Sequence, residues 1–136
     1  MPMDYAQYRE EVREDIANVL KLAGCQPILF VGSGFSRRYA DAPNWDELLK
    51  ELAENCPKVD HPYAYYKQKF QDQPRIASMF AEAYREWAWD EGRANFPPEY
   101  FNEAFPTEVF LKHATAAMLH NLKPVHAGLK AELKAL

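Results

Sequence analysis

The sequence predicts an α/β fold, mostly helical in this stretch, with one clear buried strand over 27–31. Three observations carry that expectation. Pro27-Ile28-Leu29-Phe30-Val31 is apolar without alternation, as in a strand covered on both faces. Gly32-Ser33-Gly34 follows at once, the kind of strand-to-helix turn at which α/β sheets hold phosphates. Elsewhere apolar residues recur every three or four positions, the helical period.

The 136 residues suit one domain, or part of one. A 48% hydrophobic content supplies a core and excludes wholesale disorder. Sixteen basic and twenty acidic residues leave a net charge of -4, which argues against a protein that coats nucleic acid. It leaves small anionic ligands open, because local charge decides those. Two cysteines, Cys25 and Cys56, make neither a disulfide framework nor a zinc ribbon. The start lacks the basic and apolar regions of a signal peptide. Strictly apolar runs reach only four residues, against the roughly 20 that span a bilayer. The expectation is a soluble, reduced, cytoplasmic protein.

Asp4 with Gln7 resembles a capping box. Behind it, Tyr5, Tyr8, Val12, Ile16, Val19 and Leu20 form one face of a helix that Gly24 stops. After the strand and turn, a loop with Pro43 leads to a second cap-like pair, Asn44 and Glu47. Trp45, Leu48, Leu49, Leu52, Ala53 and Cys56 then form a helical stripe closed by Pro57. A short helix is expected over 63–70. Pro74, suited to a first turn, opens a stripe from Ile76 to Trp87 that ends near Gly92. Residues 92–106 read as a long loop. Two further helices are expected, over 107–121 and 124–136.

One strand among about six helices leaves its backbone groups unpaired on both edges. The expectation is therefore that its partner strands lie outside these residues. The chain would be a piece of a larger domain, Leu136 need not be a natural end, and an exposed edge would lower solubility. The alternative is an extended segment in an otherwise helical protein.

The turn carries the chemistry. Glycines let backbone N–H groups approach an anion, and Ser33, Ser36, Arg37 and Arg38 add polar and positive groups. No Gly-Lys-Ser/Thr follows, so it is not a P-loop. Arg37 stands where a dinucleotide fingerprint needs its third glycine. A tight turn with no ligand is the competing reading.

The wider pattern Ile28-Leu29-Phe30-Val31-Gly32-Ser33-Gly34-Phe35-Ser36, then Pro43-Asn44-Trp45-Asp46-Glu47-Leu48-Leu49, resembles the start of SIR2-like (sirtuin-superfamily) NADase domains of bacterial anti-phage defence proteins. The likeness is strong over residues 27–52. It implies that 1–136 is the N-terminal portion of an incomplete Rossmann-like SIR2 domain, with the glycine-rich turn at 32–38 and a helical layer over 44–136. Gly32, Ser33, Gly34, Phe35 and Ser36 match the turn that cradles the NAD diphosphate and adjoining ribose. Arg37 and Arg38 lie just beyond, placed to meet phosphate or close the pocket. Asn44 and Trp45 stand near the nicotinamide-side segment, with rival readings as a helix cap and a core residue. NAD is expected as substrate. The paired Cys-x-x-Cys zinc site of deacylating sirtuins has no counterpart, so zinc is not expected. The family's catalytic asparagine belongs to a T-T-N-x-D segment on a later strand, and its histidine comes later still; neither segment occurs here. No catalytic residue is assigned.

Other candidates are weaker. His113 and His120 share a helix face about 10 Å apart, too far for one metal. His61 and His126 have no ligand partners in sequence, and His126 precedes the position of the catalytic histidine. Glu54 follows Gly34 at the spacing of a ribose-binding acid but inside a predicted helix. Tyr63, Tyr65 and Tyr66 with Lys67 and Lys69 suit either base stacking or packing. The aromatic stretch 86–110 suits a lid or a partner surface. The expected function is NAD+ cleavage to nicotinamide and ADP-ribose in antiviral defence, controlled by homo-oligomerisation or by a sensor domain or partner protein. The alternatives are a non-catalytic NAD or ADP-ribose-binding module and a helical interaction protein. Neither a membrane nor direct nucleic-acid binding is expected.

Overall fold

The computed structural model describes residues 4–24, 31–125 and 127–135. It comprises two units, Met1–Val31 and Gly32–Leu136. The first holds α1 (Tyr5–Ala23). Gly24 ends α1 at φ 60°, a left-handed conformation that favours glycine. Asp4 is the N-cap but makes no side-chain cap bond, so the Asp4–Gln7 box does not form.

The second unit holds α2 (Ser33–Ala40), α3 (Trp45–Asn55), α4 (Tyr63–Phe70), α5 (Gln73–Trp89), α6 (Val109–Leu119) and α7 (Ala127–Ala135). Its core joins α3, α4, α5 and α6. Ile76, Phe80 and Tyr84 of α5 are at most 1% exposed and meet Leu49 and Leu52 of α3, Tyr66 of α4 and Phe110 of α6. Burying each such side chain contributes about 1.5–3 kcal/mol. The Tyr84 hydroxyl donates to the Leu52 carbonyl at 2.9 Å, which satisfies both buried groups. Burial pushes the Tyr84 phenol well above its ordinary range.

The expected α/β architecture is not found: among the described residues every regular element is helical and none is a strand. The physical reason lies downstream of Gly32. Apolar residues there fall at helical spacing, and no alternating run offers a pairing edge. Most of the expected strand, 27–30, lies outside the described residues, and its last residue, Val31, is exposed.

The stretch 92–106 is more ordered than a loop. Two 3-10 turns, Arg93–Asn95 and Pro98–Tyr100, fold it back so that Phe96 enters the core. Gly92 makes this possible. A Cβ there would stand 2.6 Å from the Trp87 indole, which packs edge-on against Tyr84 and Phe96.

Candidate functional site

The glycine turn is the start of α2. Gly32 is its N-cap in an extended conformation, and Ser33, Gly34 and Phe35 form the first turn. Phe35 N–H donates back to the Gly32 carbonyl at 3.0 Å. The leading N–H groups of a helix have no intrahelical acceptor, and no side chain caps them here. Cβ atoms built at Gly32 or Gly34 would meet nothing within 4 Å among the described residues. Phe35 stacks on Tyr39 at 4.7 Å, and buried Tyr39 accepts from Val125 N–H through its carbonyl. Tyr39 therefore ties α2 to the rest of its unit, and the Phe35 ring packs on it within the same helix. Asp41 ends the helix in a left-handed conformation, donating its N–H to the Arg37 carbonyl, and Ala42 N–H reaches Ser36 O.

Arg37 is committed. Its Nη1 donates to Glu47 Oε2 at 2.7 Å. The same oxygen accepts Asn44 N–H at 2.9 Å, while Asn44 Oδ1 accepts Glu47 N–H at 2.9 Å. Asn44 and Glu47 thus form the capping box of α3, and the cap reading of Asn44 holds. The arginine and the box together hold the Glu47 carboxyl below its ordinary range. Arg38 lies over the Tyr39 ring at 5.7 Å.

Trp45 is not a core residue. It is 53% exposed at the first position of α3 and borders an apolar groove of about 430 Å³ with Leu48, Ala77, Leu111 and Leu119. The structure brings the 32–38 turn and Asn44 together through Arg37 and Glu47, and places Trp45 in that groove. Glu47 as an arginine partner escaped sequence reading, because its capping role already explained it.

A second feature also went unread. Asp46 Oδ1 accepts from Tyr63 Oη, from Lys67 Nζ at 2.7 Å and from Gln73 Nε2 at 3.3 Å. One carboxylate thus ties α3 to α4 and to the start of α5, and these bonds lower its pKa to about 2. Tyr63 and Tyr66 are buried, and Tyr65 stacks on His61 at 4.2 Å, so the tyrosine cluster packs. His113 is half-buried against Phe96 and Tyr100, and His120 is exposed. No three metal-ligating side chains converge among the described residues. Glu54 sits on α3, away from any strand end. Burial pushes the Cys56 thiol up, which disfavours the reactive thiolate. Cys25 and His126 lie outside the described residues. No described helix is long and apolar enough to cross a membrane.

Comparison with family models, curated proteins and solved structures finds no match to this chain.

Proposed function

We propose that Gly32–Arg38 holds the diphosphate of NAD or a related nucleotide, and that the chain is the N-terminal portion of a SIR2-like NAD+ glycohydrolase. The observation that carries this reading is the start of α2: among the described residues its leading backbone donors have no side-chain cap, and nothing stands within 4 Å of a Cβ at Gly32 or Gly34. A helix N-terminus carries a partial positive charge and favours an anion there. Ser33 and Ser36 add hydroxyl donors and Arg38 adds charge within two turns, while Arg37 is held by Glu47. The resemblance extends the reading to release of nicotinamide and ADP-ribose in antiviral defence, in the cytoplasm, with control by self-assembly or a sensor partner. Binding of NAD or ADP-ribose without cleavage, as in a degenerate SIR2-like domain, is the second reading.

The test is titration of ADP-ribose and NAD into the chain and into Gly34→Asp, followed by calorimetry. An aspartate in the first turn suits the helix dipole and meets no neighbour, so the fold keeps its melting temperature. The same charge repels a diphosphate, so saturable binding disappears. Equal titrations for both proteins, or no saturable binding to either, overturn the reading. Cleavage is tested on a protein that also carries a T-T-N-x-D segment and the later histidine, where free nicotinamide on chromatography separates the glycohydrolase from the binding module.

A further inference from the structure

A cleft of about 590 Å³ lies where the C-terminal half of α5 meets the 100–107 segment and the start of α6. It is distinct from the α2 turn. Aromatic rings form a continuous arc along it. Trp89 meets Phe101 at 5.3 Å, Phe101 meets Phe110 at 5.3 Å, Phe110 meets Tyr100 at 6.4 Å, and Tyr100 meets Phe105 at 5.2 Å. Only Phe110 is buried; Trp89 is 51% and Phe105 40% exposed. Large rings left in water around a concavity mark a binding surface more than a core.

Charge selects the occupant. Arg85 in the cleft is already bound by Glu82 at 3.2 Å and Glu86 at 3.1 Å. Glu103, also in the lining, makes no ion pair among the described residues. Glu86 and Glu103 line the cleft against one cation, Arg85, which Glu82 also pairs, so carboxylates are in excess there. An anionic ligand is therefore repelled, and a cation is attracted by both the rings and the acids. The fold supplies an internal example. The Arg93 guanidinium, which does not line the cleft, lies 4.3 Å from the Phe101 ring centre and 5.8 Å from that of Trp89.

We infer that this cleft binds an arginine side chain of a basic partner peptide, its guanidinium stacked on the Trp89–Phe101–Tyr100 arc and paired with Glu103. A planar guanidinium stacks on rings and forks onto a carboxylate, which a lysine ammonium does less well. The inference is independent of nucleotide binding at α2.

The test uses the whole chain, ¹⁵N-labelled, titrated with the peptide Gly-Arg-Gly-Arg-Gly and with its citrulline and lysine counterparts. The Trp89 indole N–H signal, assigned with Trp89→Leu, is followed. The arginine peptide is expected to shift it saturably, the lysine peptide more weakly and the uncharged citrulline peptide not at all. An exposed cation–π contact contributes about 0.5–1 kcal/mol, so Trp89→Leu weakens binding roughly 2–5-fold, read from the backbone signals of 100–107. Glu103→Gln, at an exposed position, weakens it to a similar degree and leaves the melting temperature unchanged. Equal responses to arginine and citrulline overturn the inference, as does an affinity indifferent to Glu103→Gln. Equal binding of the lysine peptide overturns the assignment to guanidinium. A Trp89 shift produced by ADP-ribose instead overturns the charge argument.

Discussion

Two helices begin within a dozen residues of each other, and they begin in opposite ways. α3 starts with a completed capping box, in which Asn44 and Glu47 satisfy each other's backbone donors, and it carries Asp46 and Glu47 in its first turn. α2 starts with Gly32, has no side-chain cap and has no acid in its first turn. Both starts expose leading N–H groups by the geometry of the helix. At α3 the chain supplies the acceptors itself. At α2 no described side chain does so. The Arg37–Glu47 pair joins the two, drawing on the same carboxylate that caps α3. The start of α3 is filled with oxygen acceptors; the start of α2 has a glycine N-cap and no side-chain cap.

Acid attacks the two starts unequally, and this is the largest expected effect. The bonds from Lys67 and Tyr63 lower Asp46 to about 2, below the ordinary carboxylate value, and Glu47 is lowered by Arg37 and its box. Groups lowered by folding stabilise the protein above their unfolded values, near pH 4, and lose that contribution as pH falls toward the folded ones. Melting temperature should therefore drop between pH 4 and pH 2. Asp46→Asn should melt lower at neutral pH and lose less on acidification. A parallel fall in both proteins would mean that the three bonds to Asp46 do not stabilise the fold. Added salt should narrow the difference, because these groups face solvent.

Asn44→Ala comes next. Losing a side-chain cap costs about 1 kcal/mol, within a range of 0.5–2. Chemical denaturation should show that loss at unchanged slope. A change near zero would place α3 and α2 on the same footing and dissolve the contrast.

How much of this was legible in the sequence follows the range of the forces. Asn44 and Glu47 were readable because a capping box is closed within four residues. Gly24, Pro74 and the stripes of α3 and α5 were readable for the same reason. α2 was not. Its Gly34, Ser33 and Ser36 have low helix propensity, and what ties it to its unit is tertiary: Tyr39 is buried and its carbonyl accepts from Val125 N–H. Trp45 fitted the apolar stripe by spacing but stands at the helix's first position, where the core no longer covers it. The α/β expectation rested on 27–31 together with the turn, and the described residues offer that segment no sheet. The cleft was foreshadowed by the aromatic count of 86–110, but the arrangement of its rings depends on the fold of 92–106, with Gly92 against Trp87.

Gly34→Ala separates the fold from the ligand at α2. Alanine is the better helix former by about 0.5–1 kcal/mol in a helix interior, and near an end the gain is at the lower limit. The new methyl meets nothing within 4 Å. Denaturation should therefore show roughly 0.5 kcal/mol of added stability, while ADP-ribose affinity falls because the backbone can no longer be approached as closely. Opposite signs in the two measurements sharpen the contrast with α3, where Asn44→Ala lowers stability and leaves no ligand site behind.

The smallest expected change is the most pointed. Gly32→Asn gives α2 the kind of cap that α3 has. Glycine is already a tolerated N-cap, only a few tenths of a kcal/mol worse than asparagine, so the melting curve should barely rise. Gly32 has an extended backbone, φ -117° and ψ -177°, which asparagine adopts without strain, and its Cβ would stand in open space. The consequence for a ligand is larger than the consequence for the fold. The asparagine oxygen would accept from the first-turn N–H groups that an incoming diphosphate needs, so the ligand would have to displace it. ADP-ribose affinity should fall although a helix end has been improved and no charge has been added. If the asparagine variant binds as tightly as the parent, the open donors of α2 are not what grips the nucleotide. The difference between the two helix starts would then be one of sequence alone.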